Sequence, residues 1–140
     1  MDSEKILHRL LGDFGLDGPI RVDGESGLCS VIDVIQLVSQ KSKPYARVTF
    51  RNVIQDDLQR EGGNAPTFSE KIKHVKINNK GHRTPVGNAT TIIELIWMLP
   101  GRNAMEIARQ SAQLVLRYHM GDRELAQQVR TNSFHFKKNI

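Results

Sequence analysis

The chain has 140 residues, 39% hydrophobic and 25% charged, a size and balance that fit one ordinary domain with its own core and argue against wholesale disorder or two full domains. Twenty lysines and arginines against 15 acids leave a net charge of +5, and the single cysteine, Cys29, excludes an internal disulfide framework. Asp2, Glu4, Lys5 and Arg9 interrupt the N-terminus, so neither a signal peptide nor a membrane span is expected and the chain reads as soluble and intracellular.

From Ser3 to Phe14, Ile6, Leu7, Leu10, Leu11 and Phe14 recur at three- and four-residue steps, which predicts a short amphipathic helix ending near Gly12 or Gly15. Ile20–Val22 and Leu28 flank the turn-rich run Asp23-Gly24-Glu25-Ser26-Gly27 and predict a hairpin. Ser30 is a natural N-cap for a helix over Val31–Ser39. Val31, Val34, Ile35 and Val38 form its apolar stripe, although so many β-branched residues also suit a strand. Pro44 then opens a second helix through about Asp56, with Tyr45, Val48, Val53 and Ile54 expected inward; Val48-Thr49-Phe50 also alternates like a strand. The two segments together predict a helix-turn-helix-like pair.

Residues 59–69 carry Gly62, Gly63, Asn64 and Pro66 and predict the longest loop. Ile72, Val75 and Ile77 lead into Asn78-Asn79-Lys80-Gly81 and then Thr84-Pro85-Val86, a pattern that predicts a second hairpin with its tip at Asn79. Pro85 cannot donate to a ladder, which places its strand at a sheet edge. Asn88 or Thr90 can cap a helix running through Ile92, Ile93, Leu95, Ile96, Trp97, Met98 and Leu99, buried nearly all round and ended by Pro100-Gly101. Asn103–Met120 is the clearest helix, with Ala104, Ile107, Ala108, Ser111, Leu114, Val115 and Tyr118 on one face and Gly121 as its stop. Asp122 can cap a last helix before a basic, frayed tail.

The charge divides unevenly. Residues 1–34 hold seven acids and three bases, a balance of −4, and residues 35–140 hold seventeen bases and eight acids, a balance of +9. Nine of those bases lie in two acid-free clusters: Lys41, Lys43, Arg47 and Arg51, then Lys71, Lys73, Lys76, Lys80 and Arg83 along the second hairpin. A basic hairpin beside a basic helix can hold phosphates or enter a groove of a nucleic acid. A third row, Arg102, Arg109, Gln113 and Arg117, includes Glu106 and reads as a self-compensated, solvated face.

No catalytic constellation stands out. The histidines His8, His74, His82, His119 and His135 lack paired metal-ligand spacing, so no metal and no cofactor are expected. Cys29 lies between apolar neighbours and reads as a buried structural thiol. Asp56 and Asp57 would diverge on a helix, and Gly62-Gly63 lacks the lysine and hydroxyl of a phosphate loop. Trp97 and Phe50 are assigned to the core; Tyr45 and Phe50 lie among the bases of the first cluster, where stacking on exposed bases is the alternative.

The order of these elements resembles the KilA-N and Bro-N group of viral and phage DNA-binding domains over roughly residues 20–120. The resemblance is carried by Leu28–Leu37 with its Asp33-Val34-Ile35-Gln36-Leu37 core, the polar break before Pro44–Val53, the hairpin Lys71–Val86 and the helices within Thr90–Tyr118. It implies DNA binding with a regulatory role and no enzyme activity; DNA binding would in turn place the chain in a nucleus or nucleoid. The expected fold is α+β, small β-hairpins on a core of about four to six helices. Residues 1–19 would be an acidic helix and linker, 20–130 a single domain, and 131–140 a flexible tail. The expected function is binding of double-stranded DNA through Lys41, Lys43, Arg47, Arg51, Lys73, Lys76, Asn79, Lys80 and Arg83. The rival is a protein-interaction or homo-oligomerisation module without nucleic-acid binding, in which the acidic lead packs on the basic body of a second copy.

Overall fold

Asp2 starts the first helix by accepting the Lys5 backbone N–H at 3.3 Å, which answers one of the unpaired donors of the opening turn. In the computed structural model, which describes residues 2–59 and 68–119 and side chains as far as Ser111, this helix is α1, Ser3–Gly12. Leu7 and Leu11 are fully buried in the same core as the rest of the chain. Ser3 Oγ accepts the Ala89 N–H at 3.0 Å, so α1 is tied to the start of a helix far away in sequence. The segment 16–20 then runs across the second helix so closely that a Cβ on Gly18 would overlap the Leu37 side chain.

The first hairpin is minimal. Val22 bridges Cys29, and Asp23 closes the turn by accepting the Ser26 N–H at 3.2 Å and the Ser26 hydroxyl at 2.8 Å. The returning strand, β1 (Cys29–Ser30), leads directly into α2 (Val31–Ser39). Ser30 belongs to both: it is the last strand residue, and its Oγ accepts the Asp33 N–H at 3.3 Å as N-cap. Val31, Ile32, Val34, Ile35 and Val38 are all buried, each worth about 1.5–3 kcal/mol on leaving water, and that burial settles helix over strand. Cys29 is fully buried beneath them; burial first, then Glu4 and Asp2, push its thiol up to about 11.

Gln40 ends α2 in the left-handed region at φ 55°, Lys41 follows, and Ser42 caps α3 (Lys43–Leu58), with Pro44 in its first turn. Helices α2 and α3 pack together as the expected helix-turn-helix-like pair. The inward face of α3 differs from expectation. Ala46, Thr49, Phe50, Val53 and Asp57 are buried, whereas Tyr45 is 38% and Val48 49% exposed. Asp57 can face inward because its carboxylate accepts the Ser69 hydroxyl at 2.6 Å and the Ser69 N–H at 3.2 Å, from a 3-10 turn at Phe68–Lys71.

The second hairpin joins β2 (Lys73–Val75) to β3 (Thr84–Gly87), antiparallel, with His74 opposite Pro85. Its connection includes a tight turn at Ile77–Asn79, where Asn78 and Asn79 adopt φ of 53° and 60°. The sheet order is β1-β3-β2, so the strand of Pro85 is central rather than at an edge. β1 pairs only with Val86 and Gly87 because α2 begins at Val31. Pro85 therefore has a strand beside it on one side only, and its missing N–H is tolerated.

Asn88 caps α4 (Ala89–Ile96) by accepting the Thr91 N–H at 2.9 Å, and six of its eight residues are buried. Trp97 is not in the core: it caps α4 at 39% exposure, and its indole N–H reaches inward to donate to the buried Ser111 Oγ at 3.1 Å, so the ring stays partly in solvent while its polar edge is satisfied. Helix α5 (Arg102–His119) buries Ala104, Ile107 and Ser111. The architecture is a small α+β fold of five α-helices and a three-stranded antiparallel sheet among the described residues. The long loop, most of which lies at 60–67, the helix at Asp122 and the basic tail fall outside them. Among the described residues no helix is long and apolar enough to cross a membrane.

Candidate functional site

Lys43, Arg47 and Arg51 stand one turn apart along α3 and share a face. Across from them lies the second hairpin, and the two elements enclose a groove of about 610 Å³. Arg83, His74 and His82 line its hairpin wall; Ile32, Phe50 and Pro85 contribute apolar surface. Phe50 meets His74 edge-on, with ring centroids 6.2 Å apart. No acidic side chain is among the lining residues. Two basic clusters separated in sequence thus meet on one concave surface, where like charges in a partly walled site add their fields.

Arg21 also lines this groove and was absent from the sequence expectation. Its guanidinium makes a two-pronged pair with Asp33, Nε to Oδ2 at 3.0 Å and Nη2 to Oδ1 at 3.2 Å, and its backbone N–H donates to the same carboxylate at 2.8 Å. Asp33 thereby holds Arg21 at the groove and offsets its charge, which leaves Lys43, Arg47, Arg51 and Arg83 as the groove's cations. The two histidines were also unforeseen as groove residues. Alternation in β2 and β3 could have placed His74 beside Pro85, but nothing local shows that both face α3.

The remaining expected residues are distributed elsewhere. Lys76 and Asn79 line a neighbouring cavity of about 590 Å³, together with Asp23 and Glu25; Arg83 and His74 are common to both hollows. Lys73 and Lys80 are exposed and line neither. Lys41 lies on the other side of the start of α3, in a third hollow with Tyr45 and Arg102. In the solvated row on α5, Glu106 and Arg109 come within 3.9 Å. Lys71 pairs at 3.8 Å with Glu94, which removes it from the hairpin's free charge.

The hairpin loop is held in place by a reciprocal clamp. Asp23 Oδ1 accepts the Asn78 N–H at 3.1 Å, and Asn78 Oδ1 accepts the Gly24 N–H at 2.9 Å. The Ser26 hydroxyl, then the Asn78 backbone N–H, lower the pKa of Asp23 below the ordinary carboxylate value. Asparagine is one of the few residues that take the left-handed conformation at small cost, so Asn78 supplies both the bend and the clasp. Comparison with family models, with curated proteins and with solved structures gives no match.

Proposed function

We propose that the chain binds double-stranded DNA, with α3 and the β2–β3 hairpin gripping the phosphate backbone along the groove between them. The observation that carries this reading is the convergence of Lys43, Arg47, Arg51 and Arg83 on a groove lined by no acid. Guanidinium groups suit phosphate because their N–H donors match its oxygens in pairs. A duplex backbone is a continuous row of such oxygens and releases counterions when it is neutralised. Lys73, Lys76, Lys80 and Asn79 extend the donor set along the exposed hairpin, and Lys41 adds a contact beyond the start of α3. The resemblance of element order to the KilA-N and Bro-N group supports the same reading, and a relationship to that group is part of the proposal.

The test is fluorescence anisotropy of the full chain with duplex DNA over a salt series, with single-stranded DNA and RNA as competitors. About six phosphate contacts give a slope of log affinity against log salt of about −5. Duplex affinity that does not change with salt, or a salt-sensitive dimer with no duplex affinity, overturns the reading.

A further inference from the structure

We infer that α3 selects base sequence through an uncharged crest formed by Val48, Asn52 and Gln55, while cations on both of its flanks hold the two backbones that wall a major groove. This rests on the duplex-binding reading and adds to it which residues discriminate and what they discriminate.

At about 100° per residue, the buried residues Ala46, Thr49, Phe50, Val53 and Asp57 occupy one side of the helix. Taking Arg47 as the origin, Arg51 falls at about 40°, Gln55 at 80°, Val48 at 100° and Asn52 at 140° around the opposite side, and all five are exposed. The charge is therefore on one flank, beside the groove shared with the hairpin. The exposed arc beside that flank, from about 80° to 140°, forms the crest and carries an apolar side chain and two carboxamides. A lone exposed valine is ordinary; Val48, 49% exposed, gains meaning from this company.

The second flank has cations as well. Tyr45 stands about 160° from Arg47 and borders a hollow of about 270 Å³ that also takes in Lys41 and Arg102 and is lined by no acid. Asn103 positions this flank: its carboxamide donates to the Val38 carbonyl at 3.1 Å, holding the start of α5 against the end of α2 and so bringing Arg102 near the α2–α3 turn. Asp56, at about 180° from Arg47, bounds the uncharged arc on the side beyond Asn52 and Tyr45.

A helix is about 10–12 Å across and the major groove about 12 Å wide, with a phosphate backbone on either side. A neutral crest between two cationic flanks matches that cross-section. Within the groove a carboxamide pairs in two-pronged fashion with adenine, and an aliphatic side chain packs on the thymine methyl. The preferred core is accordingly one or more A·T pairs contacted by Asn52 or Gln55 and Val48.

The experiment is selection of duplexes from a randomised pool by the full chain, followed by affinity measurements with Asn52→Ala, Val48→Ala and Gln55→Ala, all exposed positions. The wild-type chain is expected to enrich a short motif containing A·T pairs. Asn52→Ala should lower affinity for that motif about tenfold while leaving affinity for unselected duplex and the circular dichroism spectrum unchanged. A pool bound without preference, or a motif whose affinity survives all three substitutions, overturns the inference and leaves duplex binding standing. A pool not bound at all overturns the duplex-binding reading and this inference with it.

Discussion

Helix α4 turns Ala89, Thr91, Ile92, Ile93, Leu95 and Ile96 inward over only eight residues, while α3, twice as long, buries only five side chains, two of them polar. Both helices start from a side-chain cap, Asn88 for α4 and Ser42 for α3. The difference lies in what surrounds them: α4 is covered by α1, α2 and α5, whereas α3 rests on α2 and faces outward along most of its circumference. One helix supplies cohesion and the other presents charge. Separating the two tasks lets a surface carry several uncompensated cations without an uncompensated charge in the core.

The largest expected effect tests the cohesive side. Ile92 is fully buried, and Ile92→Ala should cost about 2–5 kcal/mol of unfolding free energy, read from denaturant midpoints. A loss below about 1 kcal/mol would mean that α4 is not the packing centre.

The next prediction tests the opposite helix. Replacing Arg47 and Arg51 together by Ala should leave stability within about 0.5 kcal/mol, because both are exposed. The same change should make the salt slope of duplex affinity shallower by about 2. Loss of stability with an unchanged slope would reverse the roles assigned to α3 and α4.

A smaller effect concerns the clasp that sets the hairpin against the first turn. Asn78→Ala removes the acceptor for Gly24 N–H and should cost about 1 kcal/mol, with a several-fold loss of duplex affinity if loop placement matters. Its partner Asp23 has a pKa lowered from the ordinary value of 3.8. A lowered carboxylate contributes stability that is complete above that value and is lost as the pH falls through the lowered one. Stability measured between about pH 4 and 2 should therefore fall less steeply in Asp23→Asn than in the wild type.

The smallest effect is at Gln40, a non-glycine residue at φ 55° that ends α2. Gln40→Gly relieves left-handed strain and should raise stability by up to about 1 kcal/mol, with no change in duplex affinity.

Much of the frame was legible from local chemistry. Ser30 and Asn88 are caps because a hydroxyl or amide oxygen can answer free N–H groups wherever a helix starts. Asn78-Asn79 marks the bend because asparagine tolerates positive φ. The facing of α3 was not legible, because Tyr45, Val48, Phe50, Val53 and Ile54 are spread around the helix and do not single out a side. The buried Asp57 carboxylate is met by Ser69, and the indole N–H of Trp97 by Ser111. Neither partner is visible in the local periodicity.

The charge division, the two acid-free clusters and the order of helices and hairpins follow from the amino-acid sequence alone, since composition, caps and turn residues act within a few positions of one another. Only the tertiary structure decided that α1 shares the core, that β3 is central between β1 and β2, and that Arg21, Arg47 and Arg83 meet at one groove. The reason is physical: strand order and helix facing are set by which distant surfaces exclude water together, and no short-range pattern encodes that choice.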